Sequence, residues 1–579
     1  MKSNFTHKGV LFFVLLSSAF SIYGQLPTLQ WSFSVGNSTG HQVPVAMAKD
    51  GRSNIYLACS SDGNSDFNPG PDTSSAGYRV VAKYDSTGKH KWSFGLPFNG
   101  EIYDIATDHQ DNVYITGWVS PSYDFDPDTS ATYIQPSSGG AFLAKYDSLK
   151  RFKWVIGIGD SANSVGSCTS YKMAIDVQNN IYITGRFNGT LDFDPSPAFA
   201  NLSSRTKLFG AYDLFLAKYT SAGSYSWAFS VGDTAANAVG YGVALDLASN
   251  VYITGGMDGS MDFDPGLSTS TIVNNGFGGI LSPFIAKYDA GGNYKWAFCL
   301  SGNSSSGLGF SITTDANADL VVTGQYSETV DFDPGSGTKN LNSIGADIFI
   351  AKYTSAGTLK WVFDNGRLGG SGYARTYSIS VDAANYIYYE GALPDSADMN
   401  PGPAKAMLYS NGGPDHVFAK YSPNGDYEWA FNLGSSNYDE WECMLADANS
   451  IYVAGNYWYT IDLDPGNGTT NYTSEGFEDL FVAKYSQPAL MTNSWTTDGF
   501  KKETLIYPNP ATDFITINTL APSGINELVL YDVMGKEVCA HEFTSNNLKM
   551  DLSSFSRGTY FLRLKNASDT AWGKFIVTK

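Results

Sequence analysis

The chain repeats itself seven times, and that repetition limits the folds open to it more than any other feature. A pentad of the type Phe-Ile-Ala-Lys-Tyr recurs with its lysine at Lys83, Lys145, Lys218, Lys287, Lys352, Lys420 and Lys484. A tetrad of the type Asp-Phe-Asp-Pro begins at Asp66, Asp124, Asp192, Asp262, Asp331, Asp398 and Asp462. Successive tetrads lie 58, 68, 70, 69, 67 and 64 residues apart, so each copy marks one structural unit. That period is too long for the coil of a solenoid.

Each unit reads as four short strands. In residues 241–300 they are Tyr241 to Asp246, Asn250 to Thr254, Phe284 to Tyr288 and Tyr294 to Phe298, with Asp/Asn/Gly turns after the first and third. Four antiparallel strands make one propeller blade. The strands are apolar on both faces, as expected when each sheet is sandwiched between two others. A fourth-strand tryptophan follows the first six pentads, at Trp92, Trp154, Trp227, Trp296, Trp361 and Trp429, but not the seventh. The missing copy stands at the other end, as Gln30-Trp31-Ser32-Phe33-Ser34-Val35-Gly36. The expectation is therefore an all-β, seven-bladed β-propeller over residues 26–486, closed by an N-terminal strand so that no sheet edge is left exposed.

Three motifs carry a family resemblance: Asn-Ile-Tyr-Ile-Thr-Gly at 180–185, Asp-Phe-Asp-Pro-Gly at 262–266 and 331–335, and Asp-Ile-Phe-Ile-Ala-Lys-Tyr at 347–353. With them residues 26–486 resemble the bacterial repeat family named for seven-bladed β-propellers. The resemblance implies fold and export, and no single activity. The sixth unit departs most, with Tyr388-Tyr389-Glu390 and Asp398-Met399-Asn400-Pro401.

The two ends read as addresses. Lys2 and Lys8 precede an apolar run from Val10 to Phe20, followed by Ser21-Ile22-Tyr23-Gly24-Gln25. This is a secretory signal over residues 1–24, with an apolar run too short to span a bilayer. No other stretch reads as a transmembrane segment once the signal is removed. After a linker at 487–504 the pattern changes to Leu505-Ile506-Tyr507-Pro508-Asn509-Pro510. Strands then read at Phe514 to Ile517, Leu528 to Tyr531, Thr559 to Leu564 and Lys574 to Thr578, a small β-sandwich. With Gly558-Thr559-Tyr560 and a basic end at Lys574 and Lys579, residues 505–579 resemble the C-terminal sorting domain of the type IX secretion system of Bacteroidetes. That resemblance implies the secretion machinery as partner and a secreted or outer-membrane surface-attached body.

Chemistry is harder to find. Lys+Arg of 36 against Asp+Glu of 56 gives a net charge of −20, the wrong sign for nucleic acid. Gly36-Asn37-Ser38-Thr39-Gly40 matches the Gly-x-Ser-x-Gly elbow in letters, but it lies in a strand-to-strand loop where the elbow needs a strand-to-helix turn. No two of the six histidines have metal-ligand spacing, and five scattered cysteines (Cys59, Cys168, Cys299, Cys443, Cys539) read as small buried residues. The tetrad offers two readings. Its carboxylates build turns ahead of Pro-Gly while the Phe packs between blades. Alternatively Asp192 with Asp194, Asp262 with Asp264, and Asp331 with Asp333 hold calcium, the only cofactor the sequence raises. These repeats exceed the about 40–45 residues a blade needs, and the surplus lies between the second and third strands. Those loops are the expected surface for an unknown protein or glycan, with Trp118 and Trp458 as aromatics that break the repeat. The reading is a non-enzymatic extracellular module; a glycoside- or polysaccharide-processing enzyme is the alternative.

Overall fold

The computed structural model describes residues 26–487 apart from 39, 98, 121–122, 128–131, 135–138, 160–164, 207–209, 275–279, 303–304, 365–374 and 440–441. It describes residues 505–578 apart from 508–510, 519–525, 532–536, 544–546 and 566–569. The expected signal at 1–24, the expected linker at 487–504 apart from Gln487, Pro508-Asn509-Pro510 and Lys579 lie outside the described residues. The chain divides into two compact units, Met1–Pro488 and Ala489–Lys579.

The first unit is all-β and propeller-like. Six of its sheets have four strands, and a seventh has five, the extra one being Asn201–Ser203 paired to Ile181–Asp192. In the fourth, Ala238–Leu245, Val251–Met257, Ser282–Tyr288 and Tyr294–Cys299 pair antiparallel in sequence order. The last sheet runs Thr28–Val35, Asp479–Ser486, Ser450–Tyr457, Glu442–Ala446, so its outermost strand comes from the start of the chain. The pairing runs from Thr28 opposite Ser486 to Val35 opposite Leu480. Every residue of Val251–Met257 is buried, because sheets cover both of its faces.

The core is divided between the sheets. Phe33 and Val35 of the last sheet share one cluster with Leu57 and Val80 of the first. Tyr182 and Leu216 share another with Ile253 and Ala286 of the next sheet. The pentad lysine and the fourth-strand tryptophan tie neighbouring sheets. Lys145 Nζ and Trp154 Nε1 both donate to Ser221 O, at 3.1 and 3.3 Å. Lys484 Nζ and Trp31 Nε1 both donate to Ser86 O at 3.1 Å, joining the last sheet to the first. Gly88, in that accepting turn, has φ +80°. A Cβ there would lie 2.9 Å from the Trp31 ring, so glycine is required for the turn's backbone to pack on the indole.

Where described, the segments between second and third strands are folded back and are not free loops. In the fifth sheet, Leu320–Asp331 and Asn340–Tyr353 pair throughout as one long hairpin. Its tip folds back: Tyr353 Oη, level with the start of the second strand, donates to Phe332 O at 3.0 Å. Glu328, at φ 60°, lies three residues before Asp331 on the way to the tip. Gly189, Gly259 and Tyr459 hold positive φ three residues before Asp192, Asp262 and Asp462.

In the second unit, Leu505–Tyr507, Phe514–Asn518 and Asn547–Asp551 form a three-stranded sheet. Glu537–Phe543, Asn526–Tyr531, Gly558–Lys565 and Thr570–Val577 form a four-stranded one. Ile515, Ile517, Leu528, Leu530, Leu562 and Phe575 make its core.

Candidate functional site

The first strands of the seven sheets converge on one cavity of about 770 Å³. Position along these strands is fixed by an aspartate that opens the following turn. Asp108 Oδ1, for example, accepts the N–H of Gln110 and of Asn112 at 2.9 Å each. Five residues before that aspartate stand Tyr103, Tyr171, Tyr241, Phe310 and Tyr377 in five sheets, all on the cavity wall. Tyr171 lies 5.1 Å by ring centroid from both Tyr103 and Tyr241, and Tyr241 lies 5.6 Å from Phe310, so these rings form a continuous arc. The first sheet has Val45 at this position and the last has Glu442.

A second charged residue interrupts the second strands. Thr116, Thr184, Thr254 and Thr323 donate to Phe142 O, Phe215 O, Phe284 O and Phe349 O at 2.6–2.9 Å. The sixth sheet puts Glu390 in their place, 1% exposed and on the cavity wall. Burial pushes its carboxyl up to about 8, against the pull of Lys172 and a bond from Ser378. Burial, and then Glu390 itself, drive Glu442 well above the ordinary carboxylate range.

Behind Glu442 stands His416, fully buried. Its Nε2 lies 2.7 Å from Asn456 O, and because a carbonyl only accepts, that nitrogen carries the proton. Nδ1 is therefore a bare lone pair facing Glu442 Oε2 at 3.0 Å, although the two are not aligned for a hydrogen bond. Burial lowers the imidazole to about 4, so it is neutral at neutral pH. Opposite charge on the wall comes from Lys172, whose Nζ lies 2.9 Å from Asp104 Oδ1. Asp104 Oδ2 also accepts the Met173 N–H at 2.9 Å.

The residues singled out from sequence lie elsewhere. Asp192, Asp262 and Asp331 each accept two backbone N–H groups on Oδ1, from the residues two and eight positions on, at 2.8–3.1 Å. Asp194, Asp264 and Asp333 each accept one more, from Ser196, Gly266 and Gly335. Asn68 and Asn400 make the same bond to Gly70 and Gly402, so the turn forms equally well around a neutral amide. Among the described residues no group of three or more His, Cys, Asp or Glu is gathered for a metal ion. Trp458 is half-buried and packs with Phe477 and His41, whose Nδ1 lies 3.0 Å from Glu478 Oε1. Trp118 is half-buried on its own sheet. All five cysteines are free thiols.

Glu442, Lys172, Asp104 and His416 escaped the sequence reading as a set. The signal was present in the copies: aligning them on the turn aspartate puts a carboxylate where five others have a ring, and Glu390 where four have threonine.

A family model described as the secretion system C-terminal sorting domain matches residues 505–578. These residues are a type IX sorting domain, which marks chains that are secreted or attached to the cell surface. An uncharacterized WD repeat-containing protein of Acanthamoeba polyphaga mimivirus is 27% identical over 219 residues, 32% of this chain and 15% of that protein. Among solved structures, a protein of unknown function from Dyadobacter fermentans has TM-score 0.33 and 10% identity, covering 80% of this chain and all of that one. A catalytically inactive virginiamycin B lyase of Staphylococcus aureus has TM-score 0.35 and 8% identity, covering 78% of this chain and 99% of the lyase. Among the described residues no helix is long and apolar enough to cross a membrane.

Proposed function

We propose that this chain is an exported seven-bladed β-propeller, closed by its N-terminal strand, that works outside the cell as a binding module and not as an enzyme. The observation that carries the reading is the central cavity. All seven first strands contribute to it, and about 770 Å³ is the size of a small-molecule or side-chain pocket. Its wall breaks the sevenfold order only at a few positions, and a site for one ligand on a repetitive scaffold requires such a break. Among the described wall residues there is no histidine to act as base for Ser378, Ser380 or Cys443. Burial drives the Cys443 thiol far up, and His416 stands behind Glu442 with its Nε2 held by Asn456 O. The cavity is the concave surface this repeat unit offers to a protein segment or a glycan.

A screen of the purified full chain tests this, with a glycan array, a peptide library and a pull-down from the outer-membrane fraction. The expected result is a ligand whose binding is weakened by changes in the cavity wall and which is released unaltered. Turnover of a polysaccharide by the same protein, abolished by Glu442→Gln alone, would establish the enzymatic alternative.

A further inference from the structure

Resting on that binding reading, we infer that the cavity is a receptor for a small organic cation, an ammonium group held by Glu442 and Glu390 against the aromatic arc of Tyr103, Tyr171, Tyr241 and Phe310. The wall sets one Lys against three carboxyl groups, Asp104, Glu390 and Glu442. Glu442 is 4% exposed, and neither of its carboxyl oxygens has a hydrogen-bond partner. Glu390 Oε2 is in the same condition. Folded proteins seldom leave buried carboxyl oxygens unmatched, because their desolvation is then uncompensated. Lys172 is the only Lys or Arg on this wall among the described residues, and it is already bonded to Asp104; behind the arc, the Arg186 guanidinium stacks closer to Tyr212, at 4.3 Å, than to Tyr171, at 5.7 Å. Three carboxyl groups therefore share one ammonium: Lys172 bonds Asp104 and pulls on Glu390, whose other partner is Ser378, so Glu390 is only partly matched and Glu442 is left over.

The geometry selects the kind of cation. A metal ion needs three or more ligating side chains, and no such group exists among the described residues. An ammonium needs one or two carboxylates and is attracted to aromatic rings, and five of the seven sheets put a ring on the wall at the level of Glu442. A neutral sugar would be served equally by an amide or hydroxyl and gives no reason for two buried acids. The net charge of −20 also favours the arrival of cations. Burial favours the protonated forms of Glu390 and Glu442. An incoming cation favours their ionised forms, so binding must expel protons.

The experiment is calorimetric titration of the full chain at pH 7 with choline and n-butylammonium, in two buffers of different ionisation enthalpy. The uncharged isostere 3,3-dimethylbutan-1-ol is the control. An ammonium probe should bind with net proton release, and the alcohol should not bind. Glu442→Gln should weaken binding at least about tenfold, or 1.4 kcal/mol. Tyr241→Ala should weaken it in the same direction and serves if the first variant does not fold. The inference is overturned if no ammonium probe binds at millimolar concentration, if the alcohol binds as tightly, or if Glu442→Gln binds unchanged. A cavity-dependent glycan or peptide found in the screen, with no response to amines, would overturn the cation and leave the binding reading standing. Failure of both experiments would remove both.

Discussion

Glu390 stands where four other sheets place a threonine whose hydroxyl closes a bond to the third strand. Its carboxyl is held up to about 8 by burial, against an ordinary value of 4.5. The folded state therefore keeps a proton that the unfolded chain has already lost. The stability this confers is fully present below about pH 4.5 and is lost as pH rises toward 8, by at most about 5 kcal/mol. Glu442 shifts in the same direction and adds to the slope. Glu390→Gln removes one of the two contributions and keeps the shape. Melting the variant beside the parent at pH 5, 6.5 and 8 should give a difference in Tm that grows in the variant's favour with pH. A constant difference would place the Glu390 carboxyl in water and not in the wall. Residues of this kind were the hardest to read from sequence. A repeat is recognised by what its copies share, whereas Glu390 and Glu442 matter through what they do not share. Lys83 to Lys484 were legible as a repeat, but their part in tying one sheet to the next required the turn carbonyl that only the fold brings near.

Strands and their order were largely legible, because the alternation of apolar residues and the Asp/Gly turns fix both. In the fourth unit the structure extends the expected strands by one to three residues at one end or the other. The segments between second and third strands read as loops because their ordering depends on a left-handed residue and on backbone N–H groups donated to a single carboxylate. Both features need the fold to be seen. In the tail, Glu537–Phe543 and Asn547–Asp551 were not expected, since charged residues break their apolar alternation. The N-terminal strand leaves a trace at the neighbouring joint. The last sheet has no turn running from its third strand into its fourth, so no turn carbonyl faces Lys420. The Gln487 side chain takes its place, accepting from Lys420 Nζ at 2.8 Å, while Trp429 Nε1 is left without an acceptor. Deleting residues through Gly36 would expose the Asp479–Ser486 edge and strip Phe33 and Val35 from the first sheet, each worth about 1.5–3 kcal/mol of burial. Unfolding should lose its cooperativity and the truncated chain should associate through the open edge. A melting transition like the parent's, with a monomeric elution volume, would mean that the strand is dispensable.

At the scale of the molecule the two units have separate tasks, and the tail's task is the better defined. Residues 505–578 match the sorting domain and have their own core of Ile515, Ile517, Leu528, Leu530, Leu562 and Phe575. The sheets of the first unit draw their strands from residues 28–486, so removing the tail takes no strand from any of them. A chain cut after residue 504 should therefore keep its repeat unit folded. The N-terminal segment, read from sequence as an export signal, should carry it across the inner membrane, and it should accumulate in the periplasm. Fractionation and surface proteolysis of cells expressing the cut and the full chain measure this directly. The cut chain should be protected from external protease and released by osmotic shock, with a melting transition in the extract like that of the full chain's repeat unit. Delivery to the surface at the efficiency of the full chain would show that the repeat unit carries its own address. Loss of the melting transition would show instead that the tail supports the fold, since a misfolded unit would be degraded wherever it was delivered.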